Sequence, residues 1–472
     1  MEVAMTRVGF HSLGAVPLAI LCAALMGVTS MLTSAFVFGV KTIIAEAVLL
    51  ADEGWIMSGT GVPVPPLDYM NEVEALYLTQ FTGYTFQGLT TPEQFCPIIC
   101  VAGQPYLTFG DSVNQGVTDL NNVIVPALQD GNNVAVFGYS QSATIATQEM
   151  TNLINNTPTG VDLNNLSVVL IGDPNSPIGG ILDRFQFPDG VQAFSLQSAP
   201  QHLPFLNVPL SMAPTPTAPF PTDIYTGEYD GWANWPENPS NILADINAGI
   251  GIETVHPYYP DPTPGVNLDI NNVIDLGTIG NTHFYDIPAP LPVLAFMYDG
   301  GPAGLFFYDA FNPYLSLINN WAYGNPGDPG AGIPIDGVNP IGAAGPWQVD
   351  ATGQLVVSGV AGFLPKMDPL QMLAGEEYAG VQTFVGPINA LLQDAGQSPL
   401  PESFVNSLLS GYDFTNQLDA SLLTGWTDLA TALNVSDLLG PDAIFNGAPL
   451  ISGQPLIDLV GVVFDIFNFF GA

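Results

Sequence analysis

The stretch from Val134 to Asn155 limits the fold more than any other. An uninterrupted apolar run, VAVF, leads into the small-residue turn GYSQS. The segment ATIATQEMTNLINN follows at once, with apolar residues at helical spacing. A strand with no polar side belongs inside a sheet covered on both faces. LSVVLIGDPN is a second buried strand of the same kind. Upstream, GWIMSGTGVPVPP reads as a strand running into a Gly/Pro loop, and DYMNEVEALYLTQF as a helix. DSVNQGVTDLNNVIVPALQD is a further helix, opened by an Asp-Ser capping signal and closed by GNN. Downstream come a strand and turn in TDIYTGEYDGWANW, a helix in NILADINAGIGI and a short strand in HFYDI. Strands alternating with helices specify an α/β chain with a mostly parallel sheet sandwiched by helices.

Between about 178 and 221 the chain is rich in Pro, Phe and Leu without periodicity, which marks an ordered excursion, a candidate lid or substrate-facing wall. From about 300 it turns Gly/Pro-rich and then into short amphipathic helices. The last, PLIDLVGVVFDIFNFF, is too short and too acidic for a membrane span; it reads as a docked helix, with an interfacial helix as the alternative. The expected division is 1–47 as signal peptide or membrane anchor, 48–330 as catalytic domain, and 331–472 as a partly helical extension.

The assignment of 1–47 rests on charge. No Asp, Glu, Lys or Arg lies between Arg7 and Lys41, and the apolar run there is long enough to cross a bilayer. Small residues at Thr33, Ser34 and Ala35 offer a signal-peptidase site, so retention and cleavage both stay open. Either way the expectation is export to the cell envelope. Arg7, Lys41, Arg184 and Lys366 are the only basic residues against 43 acidic ones, a formal charge of -39. That excludes nucleic-acid binding and disfavours anionic substrates and anionic lipid surfaces. Cys22 lies in the apolar run. Cys96 and Cys100 are near enough to pair in an exported protein, although so short a loop opposes closure. No Cys/His cluster supports a metal site, and no cofactor is expected.

Chemistry enters at Gly138-Tyr139-Ser140-Gln141-Ser142. A nucleophile held on a sharp strand-to-helix turn needs small residues two before and two after it, here Gly138 and Ser142. The helix N-terminus then directs backbone N–H groups, Gln141 among them, at a developing oxyanion. A second donor is expected from the loop after the first core strand, where Gly59, Thr60 and Gly61 stand, Thr60 with a hydroxyl beside its N–H. A serine needs a base, and only four histidines exist. His11 precedes the membrane-length segment and His202 lies in the excursion. His256, on a loop after a helix, fits the order nucleophile, acid, histidine of α/β hydrolases, with His283 as runner-up. Asp230 directly follows the strand TDIYT and is the preferred acid; Asp173, ending LSVVLIGD, is the other.

Taken in order, IMSGTGVPVPP, TPEQF, FGDSVNQGV, VFGYSQSATIA, LIGDPNSPIGG and EYDGWANWPENPSNILADINA, followed by His256, resemble the PE-PPE domain family of serine hydrolases. These are cutinase-like α/β hydrolases of bacteria with mycolate-type envelopes. The resemblance covers roughly residues 50–325. It implies that the family's G-x-S-x-S signature falls on Gly138, Ser140 and Ser142, its acid on Asp230 and its base on His256. It also implies esterase activity on acyl esters, with acyl transfer onto envelope glycolipids as the variant activity. The partners implied are an acyl-ester lipid or glycolipid substrate, and a membrane through the N-terminal segment. A non-catalytic envelope protein on the same fold is the reading from another class. At the N-terminus an apolar anchor or signal is expected in place of the family's PE or PPE helical module. The chain also carries an extension from about 330, and has Cys96 and Cys100 where aromatic and small residues are expected.

Overall fold

The computed structural model describes residues 52–184, 201–203, 206–210, 212–236, 241–260, 268, 270–298, 300–323, 362–364, 369–440, 444, 451–452 and 454–471. They belong to one compact unit, Val48–Ala472. The apolar N-terminal run, with Arg7, His11, Cys22 and Lys41, lies outside the described residues. So do Lys366 and much of the Pro/Phe/Leu-rich excursion.

Seven strands form the central sheet: β1 (Glu53–Ile56), β2 (Thr85–Gly88), β3 (Val134–Tyr139), β4 (Leu166–Ile171), β5 (Thr222–Gly227), β6 (Ile274–Ile279) and β7 (Thr282–Ile287). Their order is β2-β1-β3-β4-β5-β7-β6. All neighbours run parallel except β6, which returns antiparallel on β7 at one edge. β3 and β4, the two most apolar runs, lie at the centre, where both faces are covered. Period-2 alternation sends their side chains to two cores. One face meets α2 (Phe109–Gln129) and α3 (Gln141–Asn155) through Val136, Leu120, Ile145 and Met150. The other meets α1 (Leu67–Tyr77) through Phe137, Val169, Val73 and Tyr77. α2 and α3 approach closely at Gly116, where a Cβ would fall 2.3 Å from Ile145 Cδ1.

The sheet thus has the expected mostly parallel, helix-covered form, with three local differences. α2 starts at Phe109, and Thr108 caps it by accepting from the Asp111 N–H, so the Asp-Ser pair belongs to the first turn. β2 is a short, largely exposed edge strand with no apolar alternation. β6 is likewise a partly exposed edge strand that no long apolar run marks. The two-residue loop Gly280-Asn281 joining it to β7 is a hairpin signal that the sequence does carry.

Beyond the sheet, α4 (Ile242–Thr254) and α5 (Gly301–Asn320) enclose a third core with Tyr229, Leu291, Leu294 and Tyr323. The C-terminal helices include α6 (Pro369–Asp394), α7 (Glu402–Leu408), α8 (Ser410–Ala432) and α9 (Gln454–Gly471). α6 lies along α5 and α8 along α6. Among the described side chains of α9, Val460 packs against the first core, while Leu459, Val463, Ile466 and Phe467 are exposed. No helix of the described residues is long and apolar enough to cross a membrane.

Candidate active site

The turn after β3 holds Ser140 at φ 58°, ψ -118°, a left-handed conformation that a side chain other than glycine rarely takes. Neighbours enforce it. A Cβ on Gly138 would fall 2.8 Å from the Ser142 carbonyl oxygen and 3.0 Å from Ala143 Cα, so only glycine fits. Ser142 does more than stay small. Its hydroxyl accepts from the Tyr139 N–H (2.8 Å) and donates to the Tyr139 carbonyl (3.0 Å), which clamps the turn.

The turn after β5 supplies Asp230, and the short 3-10 turn His256–Tyr258 after α4 supplies the imidazole. His256 Nε2 stands 2.7 Å from Ser140 Oγ, and His256 Nδ1 stands 2.7 Å from Asp230 Oδ2. Asp230 is fully buried, and each of its oxygens is occupied. Oδ1 accepts from the Trp232 N–H (2.9 Å), and Oδ2 accepts from the Tyr259 hydroxyl (2.7 Å) as well as from the imidazole. Those hydrogen bonds satisfy the acceptor oxygens of a carboxylate that has no contact with solvent. Tyr259 in turn accepts from the Gly227 N–H (2.6 Å). Burial, with Asp230 beside it, pushes the Tyr259 phenol well above its ordinary value, so it stays a donor. Tyr139 donates to the His256 carbonyl (2.6 Å) and holds the ring's backbone from the nucleophile side.

Thr60 and Gln141 face each other across the turn. The Gln141 side chain donates to Thr60 Oγ1 (3.3 Å) and to the Gln94 carbonyl (3.0 Å), and accepts from Ser112 Oγ (2.7 Å). Their own backbone N–H groups hydrogen-bond to no described residue. The loop carrying Thr60 lies directly on the nucleophile: a Cβ on Gly59 would fall 3.3 Å from Ser140 Cβ. Its far side is tied by the Gly61 N–H to the Glu93 carbonyl (2.7 Å). Cys96 and Cys100 form a disulfide immediately after that segment.

The remaining sequence candidates lie elsewhere. Asp173 is fully buried, but it accepts from the Asn175 N–H (2.9 Å) and Thr215 Oγ1 (2.6 Å) rather than from a histidine. Burial pushes its carboxyl up to about 6. His283 Nε2 meets the exposed Asp275 (2.7 Å) at the sheet edge. His202 sits in a two-residue strand paired with Pro209–Leu210. Two residues of the site had no sequence signal of their own. One is Tyr259, which supports Asp230. The other is Gly172, at φ 54°, where a Cβ would fall 3.0 Å from His256 Cε1. The YY in ETVHPYYPD and the Gly before Asp173 mark them only once the imidazole's position is known.

A strained serine at a strand-to-helix turn, on a mostly parallel sheet with a buried carboxylate–imidazole pair against it, defines an α/β hydrolase. The model of the PE-PPE domain matches residues 82–324, and the chain belongs to that family. Over 276 residues it is 35% identical to PE family protein PE3 of Mycobacterium tuberculosis (strain ATCC 25618 / H37Rv), covering 57% of this chain and 54% of the relative. It is 42% identical over 212 residues to Esterase PE16 of the same strain, 44% of this chain and 37% of that protein. Diacyltrehalose acyltransferase Chp2, also of that strain, is 28% identical over 155 residues, 32% and 39% of the two chains. The chain therefore spans about half the length, or less, of these curated relatives.

Proposed function

We propose that the protein is an exported serine esterase that hydrolyses uncharged acyl esters through an acyl-enzyme on Ser140. The carrying observation is the continuous hydrogen-bond chain Ser140–His256–Asp230, with 2.7 Å at both links. In this reading His256 Nε2 takes the Ser140 proton as Oγ attacks the ester carbonyl. Asp230 fixes the imidazole through Nδ1 and stabilises its charged form. The N–H groups of Thr60 and Gln141 receive the oxyanion. The imidazolium then gives its proton to the departing alcohol, and water, activated by the same nitrogen, releases the acid.

The preference for neutral substrates follows from charge. Arg184 is the only Lys or Arg among the described residues, and it is buried with Nε on the Trp235 carbonyl (3.0 Å). The relative named an esterase supports hydrolysis. The relative named a diacyltrehalose acyltransferase supports a second reading, in which a sugar hydroxyl takes the place of water at the acyl-enzyme. Export, and membrane contact through the N-terminal run, rest on that uncharged segment and on the Cys96–Cys100 disulfide.

The test is labelling with a fluorophosphonate and turnover of a p-nitrophenyl acyl ester, with and without a glycolipid acceptor. Ser140→Ala is expected to abolish labelling and to lower turnover by about 10⁴–10⁶-fold. His256→Ala is expected to lower turnover by a comparable factor. Labelling retained in Ser140→Ala overturns the assignment, and an inert wild type favours the non-catalytic reading. Product partitioning with the acceptor separates hydrolysis from transfer. Protease treatment of intact cells tests export, and a protected catalytic region overturns it.

A further inference from the structure

A second pocket of about 320 Å³ lies between the turn after β5, α5 and α6. Glu228, Tyr229, Tyr308, Asn312, Tyr378 and Gln382 contribute to its walls, while Ser140, His256 and Asp230 do not. One wall belongs to α6, which begins at Pro369, beyond the region 82–324 matched by the family. Glycines bring that wall close. A Cβ on Gly386 would fall 3.0 Å from Asp309 Cβ, and one on Gly380 would fall 3.1 Å from the Tyr314 hydroxyl oxygen.

The walls are pre-organised. Tyr229 donates to Asn320 Oδ1 (2.8 Å), Tyr308 accepts from the Leu291 N–H (3.3 Å), and Glu228 accepts from the Ala289 N–H (3.3 Å). Glu228, Tyr229, Tyr308 and Tyr378 are buried, whereas Asn312 and Gln382 are half-exposed at the pocket.

The chemistry of the lining selects a ligand class. Carboxyl, carboxamide, hydroxyl and phenol groups are all present, and no Lys, Arg or His is among them. An anion finds no counter-charge there. A cation uses the oxygens and rings but leaves the carboxamide N–H donors idle, and burial has pushed the Glu228 carboxyl up to about 7, which weakens it as a counter-ion. A polyhydroxyl ligand uses the whole wall: its hydroxyls donate to carboxyl and carboxamide oxygens and accept from amide N–H groups. The volume is at the small end of the range of about 300–1,000 Å³ for ligand sites, which suits one or two sugar rings.

We propose that this pocket is a binding site for a neutral mono- or disaccharide unit, separate from the Ser140 centre and closed by the C-terminal helix α6. The test is calorimetric titration of the full chain with glucose, maltose and trehalose as neutral probes and choline as a cationic one. At least one sugar is expected to bind saturably. Gln382→Ala and Asn312→Ala, each verified as folded by circular dichroism, are each expected to weaken that binding tenfold or more. Blocking Ser140 with a fluorophosphonate is expected to leave it unchanged, so the outcome does not depend on the esterase reading. Three results overturn the proposal: no saturable binding of any of the three sugars, binding indifferent to both substitutions or lost on blocking Ser140, and binding of choline in place of sugars.

Discussion

At the level of single residues, the support of Asp230 separates a positioned carboxylate from a merely buried one. Asp173 and Asp230 each stand two or three residues beyond a strand, and both are fully buried. Only Asp230 reaches the imidazole, because the turn Tyr229–Gly231 swings it there, with Tyr229 at φ 63°. The order of elements made the meeting of Ser140, Asp230 and His256 legible in the sequence. Tyr259 and Gly172 were not legible, since their roles arise from contacts between segments far apart in the chain. The structure also gives Ser142 a hydroxyl role, clamping Tyr139, that a demand for small size does not contain. From the Tyr259 contacts a prediction follows. Tyr259→Phe removes a donor from Asp230 Oδ2 and leaves the buried Gly227 N–H without its acceptor. Stability should fall by about 1–3 kcal/mol, the usual cost of stranding a buried polar group. Ester turnover should drop about tenfold while fluorophosphonate labelling persists more slowly, because the imidazole is less firmly held. Denaturant titration alongside steady-state kinetics checks both, and unchanged kinetics would show that Trp232 and His256 suffice to place Asp230.

Whole elements are legible in the sequence where their apolar pattern is strong and hidden where a strand is exposed. β3 and β4 are buried on both faces and stand out as apolar runs. β6 alternates weakly, is interrupted by Gly277 at an irregular register, and joins the sheet through a hairpin. α4 is the element on which the site most depends. Its backbone packs directly against the turn that carries Asp230: a Cβ on Gly251 would fall 1.9 Å from the Tyr229 carbonyl oxygen, and one on Gly231 would fall 2.2 Å from that of Ala248. Gly249, on the same helix, has nothing within 4 Å of an added Cβ. The pair makes an internal control. Gly249→Ala should be neutral or stabilise by up to about 1 kcal/mol, the ordinary helix preference for alanine. Gly251→Ala should destabilise by about 1–3 kcal/mol through overpacking and should lower turnover as Asp230 is displaced. Thermal unfolding of the two variants decides it, and equal Tm values would refute the backbone contact.

On the scale of the molecule, the acidity of the chain also shapes stability. The formal charge of -39 tells nothing about which carboxyls are buried; that depends on tertiary packing, so the sequence could not single out Glu93 or Glu228. In the fold, burial pushes Glu93 up to about 8 and Asp173 up to about 6. It pushes Asp183, Glu228 and Asp245 up to about 7, Asp183 being partly held down by Arg184. A carboxyl whose folded value exceeds its unfolded one binds more protons folded than unfolded in the interval between the two. Stability therefore falls as pH rises through that interval. For Glu93 the interval runs from the ordinary 4.5 to about 8. Self-repulsion of the ionising surface acts in the same direction. The protein should thus be most stable near about pH 5 and lose stability steadily toward pH 8. Glu93 offers the sharpest test. Its Oε1 accepts from Thr91 Oγ1 (2.7 Å), its Oε2 has no partner among the described residues, and the side chain is fully buried. Glu93→Gln keeps the shape and removes the ionisation, so urea midpoints measured between pH 5 and pH 8 should fall less steeply than in the wild type. A wild-type midpoint that stays level or rises over that range would show that these carboxyls are not protonated in the folded state.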